Sequence, residues 1–379
     1  MPKVGTIVPN GVFALIFLFL TALVPDPAVL GASNPHGPGQ SVITKRKLLL
    51  TAIILASSLL FLNLAVAFLT RNSLPRRVMR HARESRSAGV VALGNSLVAS
   101  DFDETTFDSA AGLSSPHGAV NLGLGATSPV EHLLLFRYAL AHGLRPRLLV
   151  YGFYDFQLTD PVQFATGDLI GNHAMLYYIE PFYARHFYSL SVHDAFQFGA
   201  MRSFPMLADR GAIWAKVEIL RRAMAQQGMP PQRTNRFGRA ADFSLLEAAS
   251  PEDFRRKCQS SMALPLSPAV SELVRQAHNA GISVVVVEMP MRAAHREMFY
   301  DTAWWAQYVA HLRALLSPYQ VLYVDAGPWV PNDSFFADPL HLSEPGAVQF
   351  SRRLGSLLGP DMLPLSAQSA APAPRRTPQ

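Results

Sequence analysis

Short apolar runs rich in valine and leucine alternate with longer amphipathic stretches from about residue 88 to residue 358. That alternation is the order expected of a parallel sheet with helices on both faces. Residues 89–93 read as a buried first strand, 119–122 as a short second, 147–151 as the third, 282–287 as the strongest and 321–324 as the last. Between the second and third, residues 129–142 carry Leu133, Leu134, Phe136, Tyr138 and Leu140 at helical spacing and stop at Gly143, which makes a βαβ crossover. Further helices are predicted over 268–279, 303–316 and 344–358. The rhythm breaks from about 160 to 267, where aromatics such as Tyr177, Phe182, Tyr188 and Phe198 accumulate. This stretch reads as an insertion, either a helical cap on the core or a lid or acceptor-binding surface.

Two apolar stretches precede this domain. Residues 48–70 run 23 residues without a charge, long enough as a helix to cross a hydrocarbon core of roughly 30 Å. Residues 12–24 number only 13 and end at Pro25-Asp26-Pro27, closer to a signal-peptide apolar region than to a span. The predicted organisation is therefore an N-terminal segment (1–47), a transmembrane helix (48–70), a basic juxtamembrane linker (71–87), the α/β domain (88–358) and a disordered tail (359–379).

Charge changes the picture mainly at the membrane. The formal net charge is +6, but six arginines fall between Arg71 and Arg86 and two more, Arg375 and Arg376, in the tail. A basic run beside an apolar span usually meets lipid headgroups, and no zinc-finger spacing or aromatic RNA-binding signature accompanies it. Nucleic acid is therefore not an expected partner. Lys45, Arg46 and Lys47 precede the span while the larger cluster follows it. If both apolar stretches cross, the positive-inside rule puts the domain in the cytoplasm; if only the second does, it acts as a signal anchor with the domain outside. The single cysteine, Cys258, cannot form an intramolecular disulfide. His132, His142, His295 and His311 have no partners at metal-ligand spacing, and no metal or cofactor is implied. Glu288, at a strand end, is either cleft lining or an ordinary strand-end carboxylate.

Two motifs carry candidate chemistry. Gly94-Asn95-Ser96 directly follows the first strand, at the carboxyl edge where open α/β sheets place their sites, although a serine there can also cap a helix. Asp338-Pro339-Leu340-His341 lies between the last strand and the last helix. Its spacing lets a carboxylate hold one imidazole nitrogen while the other faces a serine, the arrangement nucleophilic catalysis requires.

Together these ends resemble the SGNH or GDSL hydrolase superfamily, whose blocks place a G-[DN]-S nucleophile after the first strand and a D-x-x-H near the C-terminus. Asn121-Leu122-Gly123-Leu124-Gly125-Ala126-Thr127 is similar to the family's glycine block, and Gly152-Phe153-Tyr154-Asp155 stands where it carries G-x-N-D. The resemblance implies a three-layer α/β/α, flavodoxin-like fold with a parallel sheet behind an N-terminal transmembrane helix. It implies Ser96 as nucleophile, His341 as base and Asp338 as its orienter. The oxyanion donors would be the backbone N–H of Ser96 and of Gly125, or of Gly123 if the block is shifted. The family's asparagine is replaced by Tyr154, so the third donor is Tyr154, another residue such as Asn121, or absent because acyl groups are transferred rather than hydrolysed. An anchor, a departed third block and an aromatic insertion resemble the branch that acetylates or deacetylates extracellular polysaccharides beside a membrane-bound acyltransferase, which implies an extracytoplasmic domain and an acylated carbohydrate or other acyl-ester substrate. A lipid or general ester hydrolase, and a catalytically idle scaffold that binds glycan in an export complex, are the alternatives.

Overall fold

The computed structural model describes residues 38–114, 118–125, 127–159, 250–359 and segments of 180–224. The apolar stretch at 12–24, the tail from 360 and Tyr177, Tyr178 and Tyr188 of the insertion lie outside the described residues.

Helix α1, Pro38–Thr70, contains the apolar span. From Lys47 to Thr70 it is long and apolar enough to cross a membrane. Among the described residues little covers it: Phe61 is 74% exposed and Leu49 63%. Its last turns are held firmly to the rest of the chain. Asn63 Oδ1 accepts from Met206 N at 3.1 Å, Thr70 Oγ1 donates to Asp209 at 2.7 Å, and Lys216 Nζ donates to the Leu69 carbonyl. The basic segment expected as a linker instead forms a helix, α2, Leu74–Glu84, with Pro75 at its start. It buries Pro75, Val78 and Ala82 and leaves Arg77 and Arg83 exposed. A segment with apolar residues at i and i+4 has a face to bury, and the charge count concealed it.

The domain that follows is a five-stranded parallel sheet of order β2-β1-β3-β4-β5. The strands are β1 (Val90–Leu93), β2 (Ala119–Asn121), β3 (Leu148–Phe153), β4 (Ser283–Glu288) and β5 (Leu322–Asp325). This is the flavodoxin-like doubly wound order, with its switch point between β1 and β3. Side chains alternate between the two faces. Val91, Leu93, Leu149, Tyr151, Val284 and Val286 face one core, closed by α2 and by α5 (Pro129–Ala141), α10 (Pro268–Asn279) and α12 (Ala303–Leu316). Val90, Ala92, Leu148, Val150, Val285 and Val287 face the other, closed by α3 (Ser96–Asp101), α4 (Glu104–Ala111) and α13 (Glu344–Leu357). Burial on both faces explains why the central strands read as continuous apolar runs.

Among its described residues the insertion supplies α6 (Pro181–Ala184), α7 (Val192–Met201) and α8 (Pro205–Ala208); α7 packs on α6 and on α8, and α8 docks on α1. A fourth, α9 (Pro251–Ser261), packs on α12 and brings Phe254 against Phe156, Phe299 and Trp305. The remaining helix of the body, α11 (Ala293–Phe299), joins the same aromatic cluster.

Candidate active site

The carboxyl ends of β1, β2 and β3 lie side by side, so the loops that leave them meet. The β1 loop turns at Gly94, where a Cβ would stand 2.5 Å from Val98 Cγ2 and 2.6 Å from the Gly152 carbonyl. Only glycine fits that crossing. The capping role falls to Asn95 and not to Ser96: its Oδ1 accepts from Leu97 N at 2.9 Å. Its Nδ2 donates to Gln157 Oε1 at 3.1 Å, which fastens the β1 loop to the β3 loop. Ser96 is thereby the first residue of α3 with its hydroxyl left over.

That hydroxyl meets His341. The imidazole Nε2 lies 2.9 Å from Ser96 Oγ, and Nδ1 lies 2.8 Å from Asp338 Oδ2. Both Asp338 and His341 keep 17% of their side-chain surface exposed, so the pair is reachable from solvent. The turn that presents them is built tightly. Phe336 and Leu342 form an antiparallel bridge, and Ala337 N donates to the His341 carbonyl at 2.8 Å. Asp338 Oδ1 also accepts from the backbone N–H of Leu340 and His341, at 3.0 and 2.8 Å. Burial pushes the Asp338 carboxyl up, but the hydrogen bond and charge of His341 and those two N–H groups outweigh it and hold the group below its ordinary value.

Asp101 carried no signal in the sequence. It ends α3, wholly buried, and its Oδ1 accepts from Leu342 N at 3.0 Å, which ties the nucleophile helix to the histidine turn. Ser351 on α13 completes the latch, donating to the Asp101 carbonyl at 3.2 Å and accepting from Asp103 N at 2.7 Å. Burial raises the Asp101 carboxyl to about 7, against the opposing charge of His341. Its spacing of five from Ser96 gives no motif, so only the fold reveals the role.

The glycine block resolves into two functions. Gly123 lets the β2 loop press on α3, since a Cβ there would meet the backbone N of Ala99. Its N–H is already donated to Asn121 Oδ1 at 2.8 Å, so Gly123 is not an oxyanion donor in this arrangement. Asn121 is likewise committed, its amide donating to the carbonyls of Val98 and Phe102 at 3.0 and 2.9 Å. Gly125 differs. A Cβ on it would lie 3.6 Å from Ser96 Cβ, and neither its N–H nor that of Ser96 has an acceptor among the described residues. Two free N–H groups therefore flank the serine.

A buried relay holds that loop. Thr127 Oγ1 donates its one proton to the Leu124 carbonyl, so it accepts from His132 Nε2 at 2.9 Å. His132 Nδ1 then accepts from Tyr151 Oη at 3.0 Å. Burial lowers His132 to about 3, so the ring stays neutral and this tautomer persists. His132 is thus a core residue with its hydrogen bonds satisfied.

Tyr154 follows the end of β3, and Asp155 adopts a left-handed conformation, φ 51°, that turns the loop. The Tyr154 hydroxyl has no hydrogen-bond partner among the described residues, and burial pushes its phenol up to about 12. Asp155 accepts from Tyr300 Oη, and burial raises its carboxyl to about 6. Glu288 is buried rather than ordinary: it accepts from Trp305 Nε1 at 2.9 Å and Tyr323 Oη at 2.5 Å, and burial raises it to about 7. His311 bonds the Leu264 carbonyl at 2.8 Å and His142 the Tyr138 carbonyl at 2.8 Å; neither reaches the site.

No family model and no curated protein matches the sequence. Among solved structures it is similar to a proposed acylhydrolase of Bacteroides fragilis NCTC 9343, at 14% identity over 72% of this chain and 87% of that one, TM-score 0.32. It is also similar to a GDSL-like lipase of Bacteroides thetaiotaomicron VPI-5482, at 12% identity over 74% of this chain and 96% of that one, TM-score 0.32. The chemistry of the site stands on its own side-chain geometry.

Proposed function

We propose that this chain is a serine-dependent acyl-ester enzyme anchored in a membrane by α1. The observation that carries the reading is the unbroken run of contacts from Ser96 Oγ through the His341 ring to Asp338. In the reaction, Ser96 Oγ attacks the acyl carbonyl while His341 Nε2 takes its proton. Asp338 holds the Nδ1 proton and stabilises the imidazolium. The N–H groups of Ser96 and Gly125 receive the oxyanion. Collapse expels the alcohol, to which His341 returns the proton. Water or an acceptor hydroxyl then attacks the acyl-serine, its proton passing to His341, and collapse breaks the acyl–Oγ bond as His341 returns that proton to Ser96.

The finer reading is removal or transfer of O-acetyl groups on an extracellular polysaccharide, with the domain outside the cytoplasmic membrane and the acyl donor supplied by a membrane-bound acyltransferase. The membrane anchor and the resemblance of the sequence blocks support it. A lipid ester is favoured by a different observation: Phe182, Phe196 and Phe204 of the insertion are at least half exposed. Turnover of acetyl and long-chain aryl esters by the full chain in detergent, compared with Ser96→Ala, tests both. Serine-dependent turnover favouring acetyl supports the first reading and a preference for long chains the second. Equal background in native and variant chains overturns the enzyme itself.

A further inference from the structure

Beside the end of the apolar helix lies a cleft of about 710 Å³ lined by Arg71, Arg76, Arg80 and Arg83, with Asn72, Met79 and Tyr138. Among the described residues no carboxylate lines it. Arg76, Arg80 and Arg83 project from α2 at spacings of four and three, where like charges repel. Arg76 is neutralised by Asp209 at 2.5 Å. Arg71, Arg80 and Arg83 have no carboxylate partner among the described residues.

Two of these three are nonetheless held in place. Arg80 Nη2 donates to the Arg71 carbonyl at 2.8 Å and to Asn72 Oδ1 at 3.2 Å, and the Arg71 guanidinium sits 4.1 Å above the Phe68 ring. Guanidinium groups fixed around an uncharged wall form a fork suited to phosphate oxygens.

The surroundings say which phosphate. Arg71 directly follows Thr70, the last residue of the span, so the cluster stands at headgroup depth if α1 crosses a bilayer. Asn63, which binds α8 of the insertion, lies about 10 Å earlier along the helix, at acyl-chain depth. Phe204, two residues before Met206, is half exposed there, and Phe68 and Leu69 are exposed on α1 itself. Charge and apolar surface are thus stacked in the order of an amphiphile.

We propose that this cleft binds the phosphate of an anionic phospholipid headgroup, and so fixes how the catalytic domain sits on the membrane. The proposal rests on the reading of α1 as a membrane anchor and adds a ligand site to it. Arg76 serves as the structural member, joining α2 to Asp209, while Arg71, Arg80 and Arg83 hold the lipid.

The test is retention of phosphatidylglycerol against phosphatidylcholine by the full chain in detergent, read by native mass spectrometry. The native chain is expected to favour phosphatidylglycerol at least tenfold. An Arg71→Gln, Arg80→Gln, Arg83→Gln triple variant should lose that preference with an unchanged near-ultraviolet spectrum, and the corresponding triple lysine variant, which keeps the charge without the fork, should keep only part of it. Equal retention of the two lipids by the native chain, or an undiminished preference in the glutamine variant, overturns the proposal. Displacement of the lipid by millimolar glycerol phosphate overturns the lipid assignment in favour of a soluble phosphoester. Extraction with alkaline carbonate reports the anchor separately. A chain that carbonate releases but that keeps arginine-dependent phosphatidylglycerol fails the anchor reading alone; one that resists release without preferring the anionic lipid fails the cleft alone.

Discussion

His341 Nε2 stands 2.9 Å from Ser96 Oγ, although 245 residues separate the two in the chain. The contact is made by stacking a turn after the last strand onto the helix that follows the first, and Asp101 joins the two through Leu342 N. Replacing Asp338 by asparagine should leave this stacking intact, because an amide oxygen can still accept the turn's N–H groups. It would no longer favour the Nδ1 proton. Loss of roughly 10³- to 10⁴-fold in kcat, with an unchanged melting temperature, is expected from ester turnover and thermal unfolding.

Gly123 and Gly125 should part company. Alanine at 125 has room, with Ser96 Cβ 3.6 Å away as its nearest neighbour, but its methyl crowds the approach to the serine. Gly125→Ala is therefore expected to fold normally and lose tenfold or more in kcat/KM. Gly123→Ala drives a methyl into the α3 backbone and is expected to cost about 1–3 kcal/mol in stability. Paired thermal melts and rates distinguish them.

Much of this was legible in the sequence for a physical reason. Strands buried on both faces are apolar throughout, and helices 268–279 and 303–316 matched the observed bounds because serine and threonine caps mark their starts. Ser96, Asp338 and His341 were legible because strand ends and short turns fix local geometry. The choice between Gly123 and Gly125 was not, since it depends on which N–H is already donated, a tertiary fact. Asp101 and the His132 relay were invisible for the same reason: their partners lie in other elements. The helix over 74–84 was obscured because its four arginines, among the six between Arg71 and Arg86, read as a basic juxtamembrane linker.

Asp101 also predicts a pH dependence. Its carboxyl titrates near 7 in the folded protein against an ordinary 3.8, so the native state holds its proton to higher pH than the unfolded chain does. Its contribution to stability is full below about pH 4 and is lost as pH rises through 7. Asp101→Asn cannot ionise, so its melting temperature should exceed that of the native chain at pH 8 and vary less between pH 5 and 8.

Tyr151→Phe removes the hydroxyl that satisfies His132 Nδ1. A buried acceptor left alone costs about 1–3 kcal/mol, and the 124–127 loop that carries Gly125 loses its anchor. A lowered melting temperature together with a reduced kcat and little change in KM is expected. Since burial keeps His132 neutral down to about 3, the deficit should be the same at pH 5 and pH 8.

The central claim is that Ser96 is a nucleophile activated by His341. A fluorophosphonate reacts with such a serine and leaves a covalent adduct that peptide mass spectrometry can place. The account predicts one adduct, on Ser96, formed in the native chain, absent in Ser96→Ala and at least a hundredfold slower in His341→Ala. Labelling elsewhere, or equal labelling of Ser96 in the native chain and in His341→Ala, would contradict it.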